Sequence, residues 1–167
     1  MYRILVSDPL SEYGLQKLLQ APDVEVVQKT GLSEEELIAI IPDFDALLVR
    51  SQTKVTAQVL EAGRKLKAVG RAGVGVDNID LDAATRYGIA VINAPDGNTI
   101  TTSEHTFAML MALARRIPQA YRSTIQGEWR RKDFVGVELR DKTLGIIGFG
   151  RIGSEVAKRA KAFQMRI

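Results

Sequence analysis

The amino-acid sequence predicts an α/β protein built from two successive domains. Two observations carry this prediction. Short apolar runs alternate with helical patterns through residues 1–98, an order typical of a parallel sheet with helices on both faces. Farther along, residues 144–163 combine an apolar run, a glycine-rich turn and a helical pattern. The first domain is therefore predicted over residues 1–98 and the second over residues 99–167.

Five short apolar segments of the first domain are predicted to be strands. Each is brief and bounded by turn-forming or charged residues, which favours a buried strand over a longer helix. The segments are Arg3–Ser7, Val24–Val27, Ala46–Val49, Leu66–Gly70 and Ile89–Ile92. Because a helical pattern separates each strand from the next, the sheet is predicted to be parallel and flavodoxin-like.

Four predicted helices connect these strands. Three of them are predicted to begin after a side chain that can accept a hydrogen bond from a free N–H group of the first turn. These N-cap residues are Ser11, Ser33 and Asp80, and the third helix is predicted to start at Thr56. Glu34–Glu36 place negative charge in the first turn of the second helix, which suits the helix dipole. Gly88 is predicted to end the fourth helix in the left-handed conformation.

The carboxyl ends of the strands are the predicted ligand site, because open parallel sheets bind ligands there. Arg50 and Ser51 follow the third strand, and Arg71 follows the fourth. A guanidinium group there can clamp a carboxylate or phosphate at two points, and an ion pair at the sheet edge is the structural alternative. Arginines on adjacent strand ends favour a substrate with more than one negative charge.

A loop with little side-chain bulk, Ala72-Gly73-Val74-Gly75, follows Arg71. Its backbone N–H groups can form a concave site for a carboxylate. A tight strand-to-helix turn with no ligand is the alternative. The position at a strand end favours the anion site at Gly73, Val74 and Gly75.

The second domain is predicted to begin with the longest helix, Thr102–Ile117. A further helix, Pro118–Gln126, and a loop, Gly127–Gly136, follow it. The long helix has a broad apolar face at helical spacing, made of Phe107, Leu110, Met111, Leu113 and Ala114.

The glycine turn Gly148–Gly153 fits the G-x-G-x-x-G pattern of nucleotide-binding proteins. The apolar run Leu144–Ile147 is predicted to be a buried strand before it, and Ser154–Phe163 a helix after it. This order of strand, turn and helix predicts the start of a Rossmann domain that binds a dinucleotide or nucleotide. A turn used only for packing is the alternative.

Each glycine of the turn has a predicted role. Gly148 permits the tight turn, Gly150 leaves room for a pyrophosphate, and Gly153 lets the helix pack closely. The helix N-terminus offers N–H groups and a positive dipole end to the phosphates. Arg151 either covers the pyrophosphate, which we favour, or is a solvated residue at the helix start.

Neither a catalytic histidine nor a metal site is predicted. His105 is the only histidine, and its neighbour Glu104 stands three residues after Thr101, the spacing of a capping box. A structural role at the helix start is therefore predicted for His105 and Glu104. Helix capping and the helix dipole explain two of the three nearby acids Asp77, Asp80 and Asp82.

The composition excludes several classes of protein. With no cysteine, the chain has no disulfide framework and no thiolate metal site. The net charge is only +3, and the basic patch Trp129–Lys132 is predicted to be a solvated loop or subunit contact, so nucleic-acid binding is set aside. No signal peptide and no membrane-spanning run is found, so we expect a cytoplasmic protein.

Several segments resemble the D-isomer-specific 2-hydroxyacid dehydrogenases over essentially the whole chain. They are Val49–Val55, Gly70–Asp80, Asn93–Thr99 and the glycine turn. Arg71 and the Arg50-Ser51 pair resemble the branch that oxidises 3-phosphoglycerate to 3-phosphohydroxypyruvate with NAD in L-serine biosynthesis. Gln164 stands where the family commonly has glycine.

The resemblance implies which residues bind ligands. The implied substrate contacts are Arg50, Ser51, the Gly73–Gly75 backbone and Asn98. The implied NAD contacts are Val74, Arg151 and Ile152, beside the glycines of the turn. The resemblance also implies a homodimer or homotetramer that pairs through the nucleotide domain.

The family's catalytic arginine, glutamate and histidine lie downstream of the glycine turn, so they are expected beyond Ile167. The acid that holds the ribose is expected about 20 residues after the glycines, also beyond Ile167. The chain is therefore expected to be the front part of a longer enzyme and inactive alone. Two alternatives are an NAD-sensing protein like the C-terminal-binding-protein corepressors and a dehydrogenase for another D-2-hydroxy acid.

Overall fold

The computed structural model describes residues Met1 to Ile167 and divides into two compact units. The first unit is Met1–Gly97 and the second is Asn98–Ile167. No helix in either unit has both the length and the apolar character needed to cross a membrane.

The first unit contains a wholly parallel five-stranded sheet with the strand order β2-β1-β3-β4-β5. The strands are β1 (Tyr2–Val6), β2 (Val24–Gln28), β3 (Ala46–Val49), β4 (Ala68–Arg71) and β5 (Ala90–Asn93). All the predicted strands are present; β3 has its predicted bounds, and the ends of the others lie within two residues of the prediction. The order is that of flavodoxin-like sheets, so the predicted fold class is confirmed.

The helices of the first unit begin where the sequence predicts. They are α1 (Glu12–Leu19), α2 (Glu34–Ile40), α3 (Ala57–Ala62) and α4 (Leu81–Arg86), with a short 3-10 helix at Ile41–Asp43. The predicted N-cap side chains of Ser11, Ser33 and Asp80 each accept a hydrogen bond from an N–H group of their own helix, and Thr56, predicted as the first residue of its helix, is the N-cap and accepts one too. Gly88 has a φ of +68°, which confirms the left-handed stop after α4.

One apolar cluster holds the sheet of the first unit. Its strand residues and helix residues are almost fully buried, and they include Leu5, Leu37, Leu47, Val49, Val59, Leu60 and Val69. Burying a side chain of this size contributes roughly 1.5–3 kcal/mol. The cluster therefore fixes the strands and, with them, the loops that leave their carboxyl ends.

The second unit is mainly helical. Its helices are α5 (Thr99–Ala114), α6 (Ile117–Ile125) and α7 (Arg151–Ala162), with a 3-10 helix at Arg131–Phe134. The small apolar cluster of this unit contains Phe107, Leu139, Ala160 and Met165. Leu113 was expected on the buried face of α5, but its side chain is 77% exposed.

The predicted capping box at the start of the long helix is wrong. Helix α5 begins at Thr99, so Thr101 lies inside the helix and Asn98 precedes it. Glu104 instead forms an ion pair with Arg159 of α7, at 3.4 Å. The β-branched residues Thr99, Ile100 and Thr101 have low helix propensity, but propensity is a weak guide that tertiary contacts override.

The buried strand predicted at Leu144–Ile147 is also wrong. No strand forms there, and the Ile147 side chain is fully exposed. Only an isolated parallel bridge between Thr143 and Arg166 pairs this segment with a neighbour. A parallel strand is buried only when neighbouring strands and helices cover it. The single bridge to Arg166 does not cover residues 144–147.

Candidate functional site

The strand order of the first unit defines a crevice at the carboxyl ends of β1 and β3. The order reverses between these two strands, and ligands of open α/β sheets bind at that switch point. Ser7 and Asp8 follow β1 there, and Arg50 and Ser51 follow β3. Both Ser7 and Asp8 are buried, whereas Arg50 and Ser51 are exposed.

Asp8 is the only charged side chain in the buried part of the chain, with 1% exposure. Its carboxylate accepts hydrogen bonds from the backbone N–H of Arg50 at 2.6 Å and from that of Thr53 at 3.1 Å. The Thr53 hydroxyl donates a further bond at 2.7 Å. Burial raises the pKa of Asp8, but the Thr53 hydroxyl and the loop N–H groups outweigh that effect and lower it. Asp8 is therefore a carboxylate at neutral pH.

Asn78 holds the same loop from its carbonyl side. Its Nδ2 atom donates to the carbonyl oxygens of Arg50 and Thr53, each at 2.7 Å. The backbone N–H of Val55 donates to the Asn78 carbonyl at 2.8 Å. The segment from Arg50 to Thr53 is therefore anchored at both ends, by Asp8 through N–H groups and by Asn78 through carbonyl groups.

The side chain of Arg50 is left available by this arrangement. Its guanidinium group forms no ion pair and no hydrogen bond, so the sheet-edge ion pair considered as an alternative is absent. The backbone N–H of Arg50 is already used by Asp8. An anion at this loop would therefore be met by the side chains of Arg50 and Ser51 rather than by the N–H groups of Arg50 and Thr53, which already donate to Asp8.

A second cation lies in the adjacent strand. Arg71 ends β4 and pairs in register with Val49 of β3 and Asn93 of β5. Its Nε atom is buried without a hydrogen-bond partner. A Cβ atom at Gly73 would lie 2.6 Å from Nη1 of Arg71, so the glycine makes room for the guanidinium.

The loop after Arg71 presents open backbone amides. Asn93 Nδ2 donates to the Val74 carbonyl at 2.6 Å, and the Ala94 N–H donates to the Gly73 carbonyl at 2.9 Å. These bonds hold the carbonyl side of the loop. The N–H groups of Val74 and Gly75 take part in no hydrogen bond of the protein, as an anion site requires.

The glycine turn of the second unit has the geometry expected for phosphate binding. Gly148 has a φ of +92°, and α7 starts at Arg151 with Gly150 as its N-cap. A Cβ atom at Gly153 would overlap the carbonyl oxygen of Gly148, whereas one at Gly150 would meet no protein atom. The turn therefore requires glycine at Gly153 for packing and leaves open space at Gly150 beside the helix N-terminus.

The other residues considered from sequence are not drawn into these clusters. Asn98 is the first residue of the second unit, and its exposed side chain makes no capping hydrogen bond. His105 is exposed on α5. Asp80 caps α4, and no group of three His, Cys, Asp or Glu side chains is arranged to hold a metal ion.

The sequence places Asp8 at a predicted strand end but assigns it no role, and it does not single out Asn78. Asp8 lies 42 residues before Arg50, and no spacing rule links positions that far apart. The available signal was a charged residue directly after an apolar strand whose carboxyl end faces the predicted site. Asn78 is harder to single out from the sequence. Asparagine is common in loops, where its side chain usually bonds to nearby backbone, so its presence there does not indicate a contact with a distant loop.

The chain is similar to the D-3-phosphoglycerate dehydrogenases of Archaeoglobus fulgidus, at 55% identity over 165 residues, and of Bacillus subtilis, at 56% over 167 residues. These matches cover 99% and 100% of this chain, and 31% of each relative. The chain thus spans about a third of the length of these curated relatives.

The fold is shared with solved structures. The NAD+-bound 3-phosphoglycerate dehydrogenase of Entamoeba histolytica superposes with a TM-score of 0.80 at 32% identity, over 99% of this chain and 52% of that one. Residues 4–162 match the family described as D-isomer specific 2-hydroxyacid dehydrogenase, catalytic domain. Because this match extends over most of the sequence, the chain belongs to the D-isomer specific 2-hydroxyacid dehydrogenase family.

Proposed function

We propose that the chain is the substrate-binding and cofactor-binding part of an NAD-dependent enzyme that oxidises 3-phosphoglycerate to 3-phosphohydroxypyruvate in L-serine biosynthesis. The observation that carries the proposal is the pair of uncommitted guanidinium groups, Arg50 and Arg71, on neighbouring strand ends. The names of the similar proteins support the same substrate.

The proposed substrate matches the charges of this edge. 3-Phosphoglycerate carries a phosphate and a carboxylate. Arginine binds phosphate or carboxylate through two parallel hydrogen bonds, and the open amides of Val74 and Gly75 suit the second anion. The proposed substrate contacts are Arg50, Ser51, Gly73, Val74, Gly75 and Asn98.

The proposed cofactor is NAD, which accepts the hydride removed from the substrate. The open space at Gly150 and the N-terminus of α7 fit a pyrophosphate. The proposed cofactor contacts are Val74, Gly148, Gly150, Arg151, Ile152 and Gly153. In this chain, the backbone of the turn would position the phosphates, and the Arg151 side chain would offset part of their charge.

We further propose that the two units bind different ligands. Residues 1–98 serve as the substrate domain, and residues 99–167 as the first part of the Rossmann domain. A homodimer or homotetramer in the cytoplasm is proposed for the enzyme. Three exposed apolar residues one turn apart on α6, Ile117, Tyr121 and Ile125, support self-association through the second unit.

A binding experiment tests the substrate assignment on the chain itself. Calorimetric titration with 3-phosphoglycerate, D-glycerate and D-lactate is expected to show clear preference for the phosphorylated acid. Arg50→Ala should lower affinity for 3-phosphoglycerate at least about tenfold, because a charged two-point contact is lost. It should change affinity for D-lactate far less.

Arg86→Ala is the matched control, since Arg86 is an exposed arginine of the same unit in the last turn of α4. It should leave all three affinities unchanged. Equal weakening of phosphoglycerate and lactate by Arg50→Ala would refute the phosphate assignment. Binding of NAD without any hydroxy acid would favour the NAD-sensing alternative, and equal preference for lactate would favour a dehydrogenase for another D-2-hydroxy acid.

A further inference from the structure

We propose that Asp8 is a positioning residue that sets the affinity of the Arg50-Ser51 loop for the phosphorylated substrate. This role rests on the proposed function, since it concerns the same substrate. Asp8 does not meet the substrate in this proposal. It acts through the loop that carries the two side chains.

Asp8 is a rigid point of attachment. The preceding residue, Ser7, is buried and its N–H donates to the carbonyl of Leu48 in β3 at 3.0 Å. The Ser7 hydroxyl also donates to the Thr53 hydroxyl oxygen at 3.0 Å. The position of the Asp8 carboxylate is therefore fixed by strands β1 and β3 and does not depend on the loop that it holds.

The carboxylate holds Arg50 without neutralising its side chain. It accepts from the Arg50 backbone N–H at 2.6 Å and from the Thr53 hydroxyl at 2.7 Å, and it forms no ion pair with the guanidinium group. A buried carboxylate would otherwise pair with the nearest arginine, which would cost the site its cation. Here the backbone and hydroxyl bonds satisfy the acid, and the guanidinium stays available.

Asn78 completes the restraint from the opposite side. It fixes the carbonyl groups of Arg50 and Thr53, so the peptide units at both ends of the loop have defined orientations. A side chain that must bind a phosphate at two points loses affinity when its backbone is free to rotate. The backbone must then be ordered on binding, and this loss of conformational entropy reduces the binding free energy. Loosening the Asp8 end should therefore weaken the phosphate contact in particular.

The test compares Asp8→Asn with Asp45→Asn in the 167-residue chain. Asp45 is a matched control because its carboxylate accepts from the backbone N–H of Arg3 at 3.0 Å, at the amino end of the strands. Calorimetry measures the affinity of each variant for 3-phosphoglycerate, D-glycerate and NAD. Amide hydrogen exchange at residues 50–53 reports the order of the loop.

We expect Asp8→Asn to weaken 3-phosphoglycerate binding about tenfold, the size of a lost charge-assisted hydrogen bond, with faster exchange at residues 50–53. Binding of D-glycerate and NAD should change less than about twofold, and Asp45→Asn should leave all three affinities near those of the wild-type chain. Thr53→Val, which removes only the hydroxyl bonds, should shift phosphoglycerate affinity in the same direction by less. If Asp8→Asn does not fold, Thr53→Val still tests the positioning role.

Each other outcome overturns the inference in a recognisable way. If the wild-type chain binds 3-phosphoglycerate and Asp8→Asn and Thr53→Val bind it equally well, the positioning role is wrong while the proposed function stands. If Asp8→Asn and Asp45→Asn weaken all ligands alike, Asp8 serves only stability. If the wild-type chain binds no 3-phosphoglycerate, the proposed function fails and the role of Asp8 fails with it.

Discussion

The backbone N–H of Arg50 donates a 2.6 Å hydrogen bond to the buried carboxylate of Asp8. This bond joins the carboxyl ends of β1 and β3 at the point where the strand order reverses. The backbone of Arg50, whose side chain is proposed to bind the substrate, is thus attached to the only buried charged side chain of the protein. The loop is therefore held by backbone and hydroxyl bonds to Asp8, and the guanidinium group of Arg50 is not needed to hold it.

The stability of the first unit should depend on the ionisation of Asp8. Its pKa is lowered in the folded chain, so its contribution is fully present above the unfolded pKa of about 3.9 and is lost as pH falls through the folded pKa. Asp8→Asn should lower the free energy of unfolding by about 1–3 kcal/mol at pH 7. The gap from the wild-type chain should close as the pH falls toward 2.

Urea unfolding followed by circular dichroism between pH 7 and pH 2 measures this gap. Asp45 and Glu155 also have lowered pKa values, from the hydrogen bond of the Arg3 backbone and of the Lys158 side chain respectively. Both acids are present in wild-type and variant chains, so the difference between the two curves isolates Asp8. A gap that stays constant with pH would contradict the assignment of an ionised, hydrogen-bonded carboxylate.

Gly73→Ala should impair anion binding at the first unit. The added Cβ would lie 2.6 Å from Nη1 of Arg71, so the guanidinium must move away from the loop. We expect at least about a tenfold loss of affinity for 3-phosphoglycerate, measured by calorimetry. Gly14→Ala is the control, because its Cβ would meet only the Ser11 hydroxyl oxygen at 3.4 Å, far along the chain in α1. Unchanged affinity in Gly73→Ala would show that the position of Arg71 is not important for binding.

Gly150→Ala should separate cofactor binding from folding. A Cβ at Gly150 meets no protein atom and the residue has a negative φ, so the free energy of unfolding should fall by less than about 1 kcal/mol, the cost of alanine at an N-cap. The same methyl group would occupy the space proposed for the pyrophosphate, so NAD affinity should fall at least about tenfold. Fluorescence titration with NADH checks this.

The control for the cofactor prediction is Gly145→Ala. Its Cβ also meets no protein atom, and it lies outside the G-x-G-x-x-G pattern. It should leave NADH affinity within about twofold of the wild-type value. Equal loss in both variants, or no loss in Gly150→Ala, would argue against a pyrophosphate at this turn.

The 167-residue chain should form no NADH from 3-phosphoglycerate and NAD. Oxidation of the alcohol needs a base within hydrogen-bond reach of the hydroxyl group and a cation beside its oxygen. At the edge of the sheet, Arg50 and Arg71 supply cations, but the buried acid Asp8 is occupied by donors from Arg50 and Thr53. His105 is exposed on α5. Absorbance at the NADH band measures turnover, and substrate-dependent formation of NADH by the purified chain would contradict the prediction.

Local sequence was sufficient for most of the first unit. The strands β1 to β5 and the caps Ser11, Ser33, Thr56 and Asp80 depend on apolar runs and on hydrogen bonds between neighbouring residues. Such features are visible within a few positions of the chain. The predictions failed at Leu144–Ile147 and at the start of α5, where burial and helix length depend on distant neighbours.

Local patterns in the sequence are enough to predict the fold class, the position of the glycine turn and the strand ends that carry Arg50, Arg71 and Gly73. Periodicity and turn chemistry act over short distances, so they can be followed residue by residue. The hydrogen bonds by which Asp8 and Asn78 hold Arg50 and Thr53 from opposite sides appear only once the chain is folded. Those bonds join residues 42 and 28 positions from Arg50, and a parallel sheet brings such positions together only when its strands are ordered in space.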